Sequence, residues 1–177
     1  MTKTFKELFA QGYQARQENR ISDSRAVFIE AVRQAAIEAD RPSLAEALCG
    51  LAQAERDIGN PQAASHHYAN AAVLYRQVGP PARLAYAIRH QADVLREMDQ
   101  PTEAEPLYLE AEGIYRQLGE KATLDLANTL RGLALVNESA AKIDAAKALW
   151  WEARELYAKC NVEAGVAECD ERLSQNQ

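Results

Sequence analysis

The 177-residue, 19.6 kDa chain matches one compact domain at roughly 100–200 residues per domain. Its apolar content of 47%, rich in alanine, with aromatics at only 7%, excludes collagen-like and disordered classes and favours helix. With 26 acidic against 20 basic side chains, the net charge of −6 removes any general attraction to phosphate backbones or anionic lipid, so neither nucleic acid nor membrane is an expected partner.

The start, MTKTFKELFA, lacks a leader pattern, and no stretch approaches the roughly 18 uninterrupted apolar residues of a membrane span, so the expected address is cytoplasmic. Cys49, Cys160 and Cys169 are odd in number and lack C-x-x-C spacing. They imply neither a disulfide framework nor a zinc site, and are expected to be reduced and buried or half-buried.

In chain order, the sequence reads as four helical pairs. The first, at about residues 4–40, is degenerate: Ser24, Phe28, Ala31 and Ala35, spaced four, three and four, share one face of its second helix. The second pair, at about 43–79, opens on Ser43-Leu-Ala-Glu46, a capping-box pattern that predicts a helix from about Ser43. Leu48, Leu51, Ala52 and Glu55 form its packing stripe. Gly59 is suited to the left-handed turn that stops it, and Asn60-Pro61 reads as N-cap and first helical residue of the next helix. That helix repeats the earlier columns as Ala64, Tyr68, Ala71 and Tyr75, 40 residues on, and ends at Gly79 before Pro80-Pro81.

The third pair, at about 83–119, carries Ile88, Gln91, Ala92 and Leu95, then Ala104, Tyr108, Ala111 and Tyr115, and ends at Gly119. Pro106 lies inside its second helix, where it removes a backbone donor and predicts a local distortion. The fourth pair, at about 123–161, follows after 42 residues with Leu130, Leu133, Ala134 and Asn137, then Ala146, Trp150, Ala153 and Tyr157. Val162, Val166, Cys169 and Leu173 then predict a short amphipathic helix at about 162–175.

The motif Ala64-x3-Tyr68-x2-Ala71, with its copies at Ala104/Tyr108/Ala111, Ala146/Trp150/Ala153 and the degenerate Ser24/Phe28/Ala31, resembles the tetratricopeptide repeat. Gly12, Ala52, Ala92 and Ala134 are the matching small residues of the first helices. The longer period and the LYRQVG and IYRQLG endings are similar to the long-helix subtype of kinesin light chains and bacterial regulatory proteins. The resemblance implies an all-α, single-domain, right-handed superhelix of four hairpins plus a C-terminal capping helix. It also implies another protein or a peptide bound in a concave groove lined by the first helices; the residues themselves, with no glycine-rich phosphate loop and no paired-carboxylate spacing above chance, predict no enzymatic activity and no cofactor. The rival reading is a regulatory module that takes a small signalling peptide and switches a partner by changing curvature.

Projecting the first helices away from their packing stripe gives the expected binding residues: Tyr13 and Arg16; Gln53 and Arg56; Tyr86, Arg89, His90, Asp93 and Arg96; Asn128 and Arg131. Arg16, Arg56 and Arg96 recur every 40 residues, a ladder suited to the carboxylates of an acidic peptide. Against this, Asp93 lies within helical reach of Arg89 and Arg96, and Asp57 and Glu97 flank the ladder, so the charge can be neutralised within the protein. The family's carboxylate clamp needs lysine and asparagine where this chain has Phe9, Tyr13, Gly50, Tyr86 and His90, so it is absent.

His66 and His67 are adjacent and cannot chelate together. His90 has no nucleophile within its own helical reach, the nearest being Cys49 one repeat away. Gly50 and Gly132 are attributed to close helix packing. Trp151, beside the core position Trp150, either packs under the cap or marks a contact between copies, and the chain is expected to be a monomer or weak homodimer.

Overall fold

The computed structural model describes residues 3–175, and its helices fall where the periodicity places them. They are α1 (Phe5–Gln17), α2 (Ile21–Ile37), α3 (Arg41–Ile58), α4 (Pro61–Val78), α5 (Pro81–Glu97), α6 (Pro101–Leu118), α7 (Thr123–Ser139), α8 (Ile143–Lys159) and α9 (Glu163–Gln175). There is no strand among the described residues. The chain divides within α5 into two compact units, the first ending at Val94 and the second beginning at Leu95.

The turns within pairs are one device used four times. Asn19, Gly59, Asp99 and Ala141 take left-handed φ values of 57°, 88°, 59° and 56°. The next amide in each case reaches back five residues: Arg20 N to Ala15 O at 2.8 Å, Asn60 N to Glu55 O at 2.8 Å, Gln100 N to Leu95 O at 2.9 Å and Lys142 N to Asn137 O at 2.9 Å. This Schellman closure satisfies carbonyls that the helix end would leave open. Ala39 and Asn161 close α2 and α8 the same way. After α6 the chain instead enters a 3-10 turn, Gly119–Ala122, which takes up the two extra residues of the 42-residue spacing.

Two sequence expectations are corrected. α3 starts before Ser43: Asp40 is its N-cap, accepting from Ser43 N at 3.2 Å, with Pro42 inside the first turn. Proline's fixed φ favours the first helical turn, so the helix begins ahead of the serine. The carboxylate of Glu46 goes to Arg83 at 3.0 Å rather than to a capping box. A true box forms at the start of α1, where Thr4 N donates to Glu7 Oε2 at 2.7 Å and Glu7 N to Thr4 Oγ1 at 3.4 Å. α6 also runs unbroken through Pro106. The proline and Thr102, whose carbonyl it leaves without a helical donor, are both exposed, so water can meet that carbonyl.

In each unit the core alternates small residues with rings. In the first, Phe28 is fully buried between α1 and α3, where a Cβ added to Gly12 or Gly50 would come within 2.8 or 2.3 Å of its ring. Leu51 and Ala54 complete this cluster, with Phe9, Tyr13 and Val32 half-buried around it. In the second unit, Tyr108 packs on Gly132 and Tyr157 on Gly165, with added Cβ atoms falling 2.5 and 2.6 Å from ring carbons. The packing explanation for Gly50 and Gly132 therefore holds. α9 is closed over α8 chiefly by Gly165 and Cys169, while Val166 and Leu173 are only half-buried.

Column 55/95/137 is interior throughout, yet holds Glu55, Leu95 and Asn137. Glu55 accepts from Arg25 Nε at 2.7 Å and Asn60 Nδ2 at 3.0 Å, so this carboxylate links α2, α3 and the entry to α4. Asn137 donates to Leu133 O at 2.9 Å. Each buried polar group at this level has its partner, as low-dielectric surroundings require.

Candidate partner-binding surface

In the first unit, α1 and α3 lie side by side, and Arg16 spans them, its Nε donating to Asp57 Oδ2 at 2.5 Å and its Nη2 to Asp57 Oδ1 at 3.3 Å. α3 is joined to α5 by the hydrogen bond from Gln53 Nε2 to Tyr86 Oη and by the Glu46–Arg83 pair. Tyr86 and His90, one helical turn apart, meet edge to face with ring centroids 4.2 Å apart. His90 also stacks on Tyr68 of α4 at 5.5 Å with the planes 17° apart. On α1, Tyr13 meets Phe9 at 4.9 Å and Phe28 at 5.4 Å, both edge to face, the arrangement that ring quadrupoles favour.

His90 stands in the column that holds Gly50 and Gly132. Where those glycines let a ring lie on the backbone, here an imidazole covers Tyr68. Gln53 Oε1 and Tyr68 Oη are buried without a hydrogen-bond acceptor or donor of their own among the described residues. Burial pushes the Tyr13 phenol up to about 12, with Tyr86, Cys49 and Glu46 adding to the shift. Burial likewise raises Tyr86 and Tyr68. Desolvation lowers His90 from its ordinary value, and Arg89 adds to this while Asp93 opposes it, so the ring is neutral at pH 7. Cys49 is buried, as expected of it, and that burial pushes its thiol up to about 12, which keeps it in the un-nucleophilic form.

The expected charges are largely engaged inside the fold. Arg89 is buried, only 8% exposed, with Nη1 donating to Asp93 Oδ2 at 3.1 Å and Nη2 to His90 Nε2 at 2.9 Å. Its position on the stripe's edge, beside Ile88, gave no sign of that burial. Arg56 is half-buried. In the second unit, Arg96 Nε lies 3.4 Å from Tyr108 Oη, and Arg96 Nη2 lies 3.6 Å from Glu97. Asn128 accepts from Tyr157 Oη at 2.9 Å, and Arg131 grips Glu168 of α9 through two bonds of 2.7 Å.

Tyr13, Arg16, Gln53, Arg56, Tyr86, Arg89, His90 and Asp93 thus belong to the first unit, and Arg96, Asn128 and Arg131 to the second. Beside Tyr13 and Arg16, an open cleft of about 420 Å³ is also lined by Gln17, Asn19, Ile21 and Asp57. Gln17, Asn19 and Ile21 escape the sequence projection because they belong to the end of α1, its turn and the start of α2. Tyr68 was assigned to the core alone, although its stacking on His90 ties that core to the surface.

Trp151 is 56% exposed and is not covered by α9. No group of three or more metal-ligating side chains is gathered among the described residues, and no described helix is long and apolar enough to cross a membrane.

No protein-family model matches the sequence, and no curated protein matches it. Solved structures do. A Podosopora anserina protein of kinesin light chain type, built of nearly identical TPR-like repeats, superposes with a TM-score of 0.74 at 13% identity, covering 97% of this chain and 94% of that one. BtubC (BKLC) from P. vanneervenii gives 0.64 at 15% identity over 99% and 91%. Aspartyl phosphate phosphatase F from Bacillus subtilis gives 0.80 at 15% identity, over 97% of this chain but 45% of that one. At such identities the likeness is one of architecture, and the architecture is that of tetratricopeptide-like helical hairpins in tandem.

Proposed function

We propose that this protein is an interaction module that holds a peptide or a partner helix against the first helices of its repeats, with the principal contact surface in the first unit around Tyr13, Gln53, Tyr86 and His90. The observation that carries this reading is the ring-and-amide strip itself. Half-buried aromatic edges lie beside a glutamine whose carbonyl oxygen is buried without a donor. Rigid rings supply contact area at small entropic cost, and a glutamine whose side chain turns outward can bond a peptide backbone.

An acidic ligand is not required by this surface. Arg16 already holds Asp57, and Arg89 already holds Asp93, so an incoming carboxylate must displace an internal one. Affinity purification with mass spectrometry, run with wild type and with the Gln53→Ala/Tyr86→Ala variant, tests the assignment. A specific co-purifying protein lost from the variant supports it. An identical set from a variant with unchanged circular dichroism refutes it.

The likeness to part of the phosphatase F chain supports a second reading, a regulatory module that takes a short signalling peptide. Small-angle scattering separates the two: a change in compactness on adding the bound peptide favours regulation, and an unchanged profile favours a rigid scaffold.

A further inference from the structure

In the second unit, the sides of α6 and α8 that point away from α7 form a surface unlike the rest. The buried stripe of α8 runs through Ala146, Trp150, Ala153 and Tyr157, so Asp144, Ala148, Trp151, Glu155 and Ala158 face outward, and all five are exposed. On α6, Pro106, Leu109 and Gly113 are exposed at spacings of three and four. The two helices are tied by Arg116, which donates to Glu152 at 2.6 and 2.8 Å, and by Lys142 to Glu105 at 2.7 Å.

A 56%-exposed tryptophan and a 51%-exposed leucine, Leu109, therefore lie among alanine, glycine and proline, inside a ring of charges. A large exposed ring costs apolar hydration in the isolated protein. Tryptophan surrounded by small neighbours and a polar rim is also the composition of an interface centre.

The charge order on α8 identifies the occupant. Lys147 stands four residues before Trp151, and Glu155 four after, on one ridge of the helix. If a second copy of α8 crosses antiparallel with Trp151 on the two-fold axis, Lys147 of each copy meets Glu155 of the other, and both tryptophans stack at the centre. Lys147 enters no ion pair among the described residues. Glu155 lies 3.2 Å from Arg154, which is already bound to Asp170 at 2.5 Å, and the Glu155 side chain stays 63% exposed. Ala148 and Ala158, on the same face, are small enough to let the backbones approach.

We infer that this face is a self-complementary docking surface, on which a second copy of the chain binds by an antiparallel α8–α8 contact centred on Trp151. An isologous contact needs its pattern to read the same after the two-fold operation, and Lys-Trp-Glu at equal spacing does so. One helix crossing with a neighbouring α6 edge is small beside the roughly 800 Å² per partner of a standard interface, so the dimer is weak and concentration-dependent.

Sedimentation equilibrium on the full chain tests this, with circular dichroism to verify that each variant, altered at exposed Trp151 or Glu155 or at half-buried Lys147, remains folded. Wild type should show a reversible monomer–dimer equilibrium, and Trp151→Ala should weaken it about tenfold or more. Lys147→Glu and Glu155→Lys should each self-associate less than wild type, because each places like charges opposite one another twice. An equimolar mixture of the two should recover dimers, since every pair is then attractive. A chain that stays monomeric as concentration approaches about 1 mM overturns the inference. So do dimers indifferent to Trp151→Ala, and charge variants whose mixture associates no better than either alone.

Discussion

Single residues decide how closely the helices approach, and glycine does this in two opposite settings. Gly50 lies under Phe28, with no room for a methyl group, whereas Gly113 on α6 has nothing within 4 Å of an added Cβ. Alanine is favoured over glycine inside a helix by about 1 kcal/mol, while overpacking a filled core costs about 1–3 kcal/mol. Gly113→Ala should therefore raise stability by up to about 1 kcal/mol, and Gly50→Ala should lower it by about 1–2 kcal/mol, both measured by urea denaturation. His90 makes a second residue-level prediction. Its folded value lies below the ordinary 6.5, so as the pH drops through 6.5 the unfolded chain takes up a proton before the folded one does. Stability is intact above that pH and is lost as the pH falls toward the folded value. The melting temperature should drop between about pH 7.5 and pH 5.5, and drop less in His90→Gln, with His67, lowered by burial in the same direction, supplying a remainder.

At the scale of elements, the second helices were the most legible part of the sequence. Alanine–aromatic–alanine at helical spacing leaves one possible buried face, and Ala64, Tyr68, Ala71 and Tyr75 are all buried. Helix starts were less legible because several residues compete for the cap. Both Asp40 and Ser43 can accept a backbone amide, and only the conformation imposed by Pro42 decides between them. The candidate surface was legible as a set of helix faces but not as chemistry. Arg16 and Arg89 looked available because their acidic neighbours, on the next helix or one turn on, can be either side by side or apart in sequence logic. The turns yield a prediction of their own. Ala141 holds a left-handed φ of 56° at the position where the second pair uses Gly59. A Cβ in that conformation costs about 1–2 kcal/mol, partly offset by glycine's greater freedom when unfolded. Ala141→Gly should raise the denaturation midpoint by an amount equivalent to about 0.5–1 kcal/mol, without changing the slope.

Within each unit, every helix packs chiefly on its neighbours in the chain, as in stacked-repeat proteins, and an end left open needs a cover. α9 provides it for the second unit: Gly165 lies on Tyr157, Glu168 binds Arg131, and Arg172 reaches Glu138 at 3.3 Å. Glu138 in turn accepts from the indole of Trp150 at 2.9 Å, so the cover reaches the deepest ring of the fourth pair. A chain ending at Asn161 should lose on the order of 2 kcal/mol or more, and should bind a hydrophobic dye that the full chain does not.

The connectors have a practical consequence. Six of them are drawn tight by an amide reaching back to a carbonyl of the preceding helix, which leaves little slack backbone for an enzyme to grasp. The link after α4 runs through Gly79-Pro80-Pro81 and offers trypsin no basic residue, whereas the turn after α6 displays Lys121, exposed at its tip. Brief tryptic digestion of the native protein should cut first after Lys121, releasing two fragments of unequal size, and replacing that lysine with glutamine should markedly prolong survival of the intact chain.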